Sequence, residues 1–150
     1  MILAANTFII QDGKILLGFK KRGFGMSKWN IFGGKIDDSE SYAEAAQREV
    51  FEECGLNVTS LEEKAVINFS WDNDGLKFEV HVFEALKFTG QPEESEEMLP
   101  QWFALDDIPY KKMWPDNKLW LPLLLQGKKI KANFLYNQKN ILIKHEINIV

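Results

Sequence analysis

Gly34-Lys-Ile-Asp-Asp-Ser-Glu40-Ser-Tyr-Ala-Glu-Ala-Ala-Gln-Arg48-Glu49-Val-Phe-Glu52-Glu53-Cys-Gly55-Leu56 is the stretch on which the fold of this 150-residue chain turns. Ser39 or Ser41 can cap a helix over roughly 41–54, and Gly55 is a natural stop. At about 100° per residue, Glu49, Glu52 and Glu53 stand at i, i+3 and i+4 and share one narrow arc. Three carboxylates that close repel one another and destabilise a bare helix. A hard divalent cation removes the repulsion, and an all-oxygen site suits Mg²⁺ or Mn²⁺. Taken alone, the run is equally well read as a solvated acidic face, with Arg48 pairing to Glu44 or Glu52. Gly33 and Gly34 tip the balance, because they let backbone approach a phosphate or offer a carbonyl to metal. Cys54 falls on the Val50 and Ala46 side and reads as packing.

Outward from the helix, residues 2–10 and 14–20 read as strands around the turn Gln11-Asp12-Gly13. A loop follows through Lys20-Lys21-Arg22-Gly23-Phe24-Gly25, then a short strand within 29–34. Further strands are expected at 61–71 and 77–88, separated by the turn Asp72-Asn73-Asp74-Gly75. The run Gln91-Pro-Glu-Glu-Ser-Glu-Glu97 is an exposed acidic loop. A strand at 101–105, a helix at 117–126 and a hairpin of 130–136 with 140–148 complete a mixed α/β (α+β) chain. Neither an internal repeat nor a linker divides residues 1–150, so one domain is expected.

Composition limits the function classes. The formal charge of −4 argues against a binder of polymeric nucleic acid, which needs a basic surface. A small phosphate ligand remains compatible if basic groups or metal concentrate at one site. The lone Cys54 excludes an intramolecular disulfide and suits a reducing cytosol. The first ten residues lack the basic region of a signal peptide, and no apolar run nears the roughly 20 residues that span a bilayer. A cytoplasmic monomer is expected, without a membrane partner. Aromatic residues reach 13%, enough to fill a core and still wall a pocket.

The quoted stretch has the form G-x5-E-x7-R-E-V-F-E-E-C-G-L and resembles the Nudix box at every fixed position. With each residue type at about 7% or less, seven fixed positions agree by chance about once in 10⁸ starts. The resemblance implies the Nudix fold, an α/β/α sandwich around a mixed β-sheet, with the helix bearing metal. It also implies a chemistry in which metal neutralises the polyphosphate and a positioned water attacks phosphorus in line, releasing nucleoside monophosphate and pyrophosphate. Glu49, Glu52 and Glu53 are then metal ligands, with Glu53 essential, and the Gly33 carbonyl joins them. Arg48 belongs to the catalytic set. Glu97 can return through its loop as ligand or base.

The box specifies the bond that is cut, not the nucleoside. Beyond it, the chain resembles the mammalian-type MutT-homologue branch of the family, whose substrates are oxidised purine nucleoside triphosphates. The matching stretches include Lys20-Lys-Arg-Gly-Phe-Gly25, Trp29-Asn30, Phe32-Gly-Gly-Lys35, His81-Val-Phe83, Glu97-Met98 and Met113-Trp-Pro-Asp116. The resemblance makes Trp114 the residue that stacks on the base, and Phe69, Trp71, Phe78, Met98, Trp120 and Tyr136 pocket lining. Phe24 and Phe32 join the substrate contacts through their matching strings. Asn30 can donate and accept at the base or sugar edge, and Lys20, with Lys35 more weakly, suits the triphosphate.

Asp116 and its successor are that branch's base readers. Paired aspartates are usual there, whereas this chain has Asp116-Asn117. A guanine edge offers N1–H and N2–H₂ donors beside an O6 acceptor. Asp116 can accept from the donors, and the Asn117 amide can donate to O6 at any ordinary pH. The pair therefore favours 8-oxo-guanine-type over 2-oxo-adenine-type triphosphates. Ala4, Ala5 and Asn6 are smaller than the residues usual in the branch's first strand, so pocket width can differ. The rival readings are a Nudix enzyme of methylated or ordinary purine nucleotides or dinucleoside polyphosphates, and a catalytically silent Nudix nucleotide sensor. Intact Glu49, Glu52 and Glu53 weigh against the sensor.

Overall fold

The computed structural model describes residues 1–72 and 75–150. Strand β1 (Ile2–Gln11) turns at Asp12-Gly13, both left-handed at φ 53° and 74°, into β2 (Lys14–Lys20). Next come β3 (Trp29–Asn30), β4 (Phe32–Lys35), α1 (Tyr42–Cys54), β5 (Asn57–Trp71) and β6 (Lys77–Thr89). After them follow β7 (Met98–Ala104), a 3-10 turn at Tyr110–Lys112, α2 (Asn117–Leu125), β8 (Ile130–Tyr136) and β9 (Leu142–Ile149). Among the described residues no helix is long and apolar enough to cross a membrane.

β1 is shared by two paired sheets. Its residues Ile2–Phe8 lie in a mixed sheet of order β4-β1-β6-β5-β8-β9, parallel at β1–β6 and β5–β8 and antiparallel elsewhere. Its end, Ile9–Gln11, pairs with β2, which also takes β3 and β7. Period-two alternation then sends successive side chains to opposite faces. Ala4 and Phe8 join Ile67, Val82 and Phe134 in the core beneath Trp120, Leu121 and Leu124 of α2. Ala5 and Ile9 belong to the cores beneath α1, with Ala45, Ala46, Val50 and Cys54. A helix on each face makes the α/β/α sandwich that the Nudix resemblance implied.

The cap of α1 is Ser41 rather than Ser39. The Ser41 hydroxyl accepts from Glu44 N–H at 3.1 Å, and the Glu44 carboxylate accepts from Ser41 N–H at 2.9 Å. This reciprocal box satisfies two otherwise orphaned donors. Gly55 closes the helix at φ 79°, a left-handed geometry that a side chain would strain. Cys54 is fully buried, and burial pushes its thiol up to about 11, as an inert packing cysteine requires.

Several boundaries differ from those read in the sequence. The strand expected over 29–34 is two pieces, because β3 pairs with β2 and β4 with β1. β5 begins at Asn57, not 61; register shifts at Val58/Ser60, Ser60/Leu61 and Glu63/Ala65 break the alternation that would reveal its start. β7 begins at Met98 rather than 101, since its partner β2 offers ladder positions as far as Lys20. The turn expected at Asp72-Asn73-Asp74-Gly75 lies partly outside the described residues.

Candidate active site

Strand β4 and helix α1 bring glycine backbone against carboxylates. Glu53 is 3% exposed, and its Oε1 accepts from Gly33 N–H at 2.8 Å. No side chain fits at Gly33, where a Cβ would stand 2.0 Å from Asn6 Oδ1 and 2.3 Å from the Ala5 carbonyl. At Gly34 it would stand 2.6 Å from the carboxyl carbon of Glu49. Gly33 thus lets β4 lie close against β1, and Gly34 leaves the space that the Glu49 carboxylate of α1 occupies. Burial pushes the Glu53 acid up to about 8, with the charges of Glu49 and Glu97 adding to it and Gly33 N–H and Lys20 opposing. Glu49 is raised for the same first reason, burial.

Glu49, Glu52, Glu53 and Glu97 line one cavity of about 710 Å³. Lys20, Arg22 and Lys35 stand on its walls, with Gly33 and Gly34 between. The structure thus brings together residues from β2, β4, α1 and the acidic loop ahead of β7. Arg22 Nη2 lies 3.8 Å from Glu97, and the Glu97 carbonyl accepts from Lys21 N–H at 2.8 Å, tying the acidic loop to the basic one.

Arg48, expected in the catalytic set, lies against two of these carboxylates and against the loop ahead of α1. Its guanidinium donates to Glu40 at 2.7 and 3.0 Å, to Glu49 at 2.9 Å, to Glu52 at 3.2 Å and to the Lys35 carbonyl at 3.0 Å. Arg48 holds Glu40 down at about 2. The residue is a clamp that fastens the loop 35–40 to α1, with its donors committed there. The alternative pairing to Glu44 is not made, since Glu44 serves the helix cap.

This clamp bears on how a cation could be held. Among the described residues no three acidic or imidazole side chains converge as a ready ion cage. Arg48 engages Glu49 and Glu52, and Gly33 N–H engages Glu53. The donor set nevertheless fits a hard divalent ion. It is all oxygen, and burial, with repulsion from neighbouring carboxylates, holds the Glu49 and Glu53 acids above their ordinary value, which a bound cation would reverse.

Beyond the carboxylates lies an aromatic cluster. Phe24, 54% exposed, stacks on Trp114 at 5.2 Å between centroids and 22° between planes. The Lys28 ammonium lies 5.4 Å from the same ring centroid, and a Cβ on Gly25 would stand 3.1 Å from the Trp114 indole nitrogen. Trp71 and Tyr136 meet Trp114 edge-on, and Phe78 stacks against Phe24. Phe69 is set deeper, stacked on Phe134. The loop from Lys20 to Lys28 therefore reaches from the carboxylate cavity to the Trp114 ring. Asn30 lies at its base, where its amide donates to the Lys28 carbonyl at 3.0 Å.

Asp116 is buried at 3% exposure, accepting from the Trp120 indole N–H at 2.7 Å and from the Tyr136 hydroxyl. Asn117, 7% exposed, donates to the Trp114 carbonyl at 3.2 Å, and among the described residues its other amide N–H and its amide oxygen make no hydrogen bond. Phe32 and Met98 are both buried on the α1 side of the sheet, beside Gly18. Sequence reasoning overlooks Arg22, Lys28 and Asp37 as functional candidates, although Arg22 sits inside the quoted Lys20-Lys-Arg string. Their contacts join distant segments, which spacing along the chain does not reveal.

A carboxylate-bearing helix laid on a Gly-Gly strand, within a mixed sheet covered on both faces, defines a class of protein. Residues 2–124 match the NUDIX domain, and the chain belongs to the Nudix hydrolase family. It is 43% identical over 148 residues to a Danio rerio protein named oxidized purine nucleoside triphosphate hydrolase, covering 99% of this chain and 95% of that one. The Mus musculus protein of the same name is 42% identical over 142 residues, covering 95% and 91%. In fold, the chain is similar to the mutator MutT protein of Bacillus halodurans, with a TM-score of 0.89 over 99% of this chain and 98% of that one, at 22% identity.

Proposed function

We propose that this chain hydrolyses oxidised purine nucleoside triphosphates, 8-oxo-dGTP in preference, to monophosphate and pyrophosphate. The observation that carries the reading is the cavity where Glu49, Glu52, Glu53 and Glu97 face Lys20, Arg22 and Lys35. The names and full-length similarity of the Danio and mouse relatives support the nucleotide class. In this reading residues 1–150 act as one domain, a cytoplasmic monomer that clears damaged nucleotides.

Glu49, Glu52, Glu53 and Glu97, with the Gly33 carbonyl, would hold Mg²⁺, or Mn²⁺ in its place, with Glu53 the indispensable ligand. Such an ion, when bound, supplies charge neutralisation of the polyphosphate and a more acidic water. Lys20, Arg22 and Lys35 oppose the remaining phosphate charge and orient the chain of phosphates. Glu97, with 48% of its side chain exposed, has room to take the proton of the attacking water or to serve as a ligand. In-line attack on the α-phosphorus breaks its bond to the bridging oxygen, and pyrophosphate leaves. Trp114 supplies the flat wall for the purine, with Asp116 and Asn117 at the base edge.

Product analysis tests this reading. Incubation of the chain with 8-oxo-dGTP and Mg²⁺ should yield monophosphate and pyrophosphate in equal amounts, and excess chelator should abolish both. Release of inorganic phosphate instead, or turnover undiminished by chelator, would overturn it.

A further inference from the structure

Asp116 is the most deeply enclosed acid beside the aromatic cluster, and it is held from two sides. Its two carboxylate oxygens have separate protein donors: the Tyr136 hydroxyl on Oδ1 and the Trp120 indole N–H, at 2.7 Å, on Oδ2. The Tyr136 hydroxyl is itself oriented, because its oxygen accepts from the backbone N–H of Asp116 at 3.2 Å. With that acceptor direction occupied, the hydroxyl proton points to the carboxylate. The Tyr136 ring has no freedom to swing away. It is fully buried, stacked on Trp71 at 5.3 Å and 19°, and set edge-on to Trp114 at 5.6 Å.

We propose that Tyr136 is a specificity-determining positioning residue, whose hydroxyl, together with the Trp120 indole, fixes Asp116 as an acceptor-only carboxylate that reads the donor edge of a guanine-type base. The proposal deepens the reading of this site as one for oxidised purine triphosphates and rests on it. A protonated Asp116 would be a donor as well as an acceptor, and would tolerate bases whose edge presents an acceptor there. An ionised carboxylate has about four acceptor directions, so two remain for N1–H and N2–H₂ of a guanine. Asn117, through its free amide N–H, covers O6.

The electrostatic balance makes the hydroxyl matter. Burial raises the Asp116 acid above its ordinary value, and the Tyr136 and Trp120 hydrogen bonds oppose that rise most, with a smaller contribution from Asp116's own backbone N–H. Among the described residues Asp116 has no ion-pair partner. The other titratable or charged groups on the elements around it are Lys28, over Trp114, Lys118 on α2, Lys131 on β8, Tyr110, Lys111 and Lys112 on the 3-10 turn, and Asp72, whose N–H donates to the Tyr136 carbonyl at 2.9 Å. With Tyr136→Phe the ring stays and one donor goes, so the proton binds Asp116 at higher pH.

Base selectivity requires the ionised form, so it is present above the Asp116 pKa and lost as pH falls through it. Removing a donor moves that loss upward. The experiment measures kcat/KM for 8-oxo-dGTP and 2-oxo-dATP across about pH 6 to 9, for the wild-type chain, Tyr136→Phe and Trp120→Phe, with thermal melts alongside. In the variants the pH at which selectivity for 8-oxo-dGTP falls should rise by about one unit relative to the wild type. Lowered thermal stability alone should not move this profile. A wild-type profile retained in both variants, whether or not they melt earlier, overturns the role of Tyr136. Failure of the wild type to prefer 8-oxo-dGTP at any pH overturns the substrate reading, and this proposal with it. Should Tyr136→Phe not fold, Trp120→Phe decides the same question, since it removes the companion donor.

Discussion

Replacing Glu53 by Gln should lower kcat on 8-oxo-dGTP by about 10³-fold and leave the chain folded. Glutamine keeps the shape, and its carbonyl can still accept from Gly33 N–H, so the β4–α1 contact survives. What is lost is the negative charge at the most buried position of the cavity. That charge is costly without a cation, because burial and the neighbouring Glu49 and Glu97 push the Glu53 acid up to about 8. An acid whose folded value stands above its unfolded one is penalised as pH climbs between the two. The wild type should therefore lose stability between about 4.5 and about 8 in chelator, and Glu53→Gln should lose less. Added Mg²⁺ should raise the melting temperature of the wild type and do little for the variant. Full turnover in Glu53→Gln, or an equal response to Mg²⁺, would remove Glu53 from the centre of the mechanism.

Trp114→Ala should reduce kcat/KM for 8-oxo-dGTP by about 10- to 100-fold, since a base stacked on an aromatic ring gains about 1–3 kcal/mol. The loss should fall mainly on KM, because the wall touches the base and not the reacting phosphorus. In the structure the Trp114 ring already has a stacking partner in Phe24, at 5.2 Å. A purine that stacks on that face has to displace the Phe24 side chain, which is 54% exposed. Trp114→Phe should recover most of the loss by restoring a flat face. An unchanged KM in Trp114→Ala would mean that the base binds elsewhere.

How far the sequence can be read depends on the range of each interaction. The helix from Tyr42 to Cys54 and its Gly55 stop rest on neighbours within four residues, so local pattern is enough to locate them, although it leaves the cap open between Ser39 and Ser41. The Glu49, Glu52 and Glu53 arc follows from helical period in the same way. The role of Arg48 is not legible there, because its partners Glu40 and Lys35 lie on a loop that folds back over α1. That Phe32 and Met98 pack together beside Gly18 is hidden too, because Met98 lies on β7, far along the chain from β4. The start of β5 is hidden by its bulges. The donors to Asp116 are invisible for a different reason: Tyr136 stands 20 residues away on β8, and only the parallel pairing of β8 with β5 brings it beneath Trp114.

Metal-dependent cleavage rests on the carboxylate cavity, and the nucleoside rests on the aromatic cluster with Asp116 and Asn117. The most direct test of the two together is the ratio of kcat/KM for 8-oxo-dGTP to that for dGTP, measured well below KM in Mg²⁺. A preference of about tenfold or more for 8-oxo-dGTP is expected, because discrimination between substrates is a difference in transition-state binding at the base. Equal efficiency on the two nucleotides, or a preference for dGTP, would contradict the assignment of this site to oxidised purines.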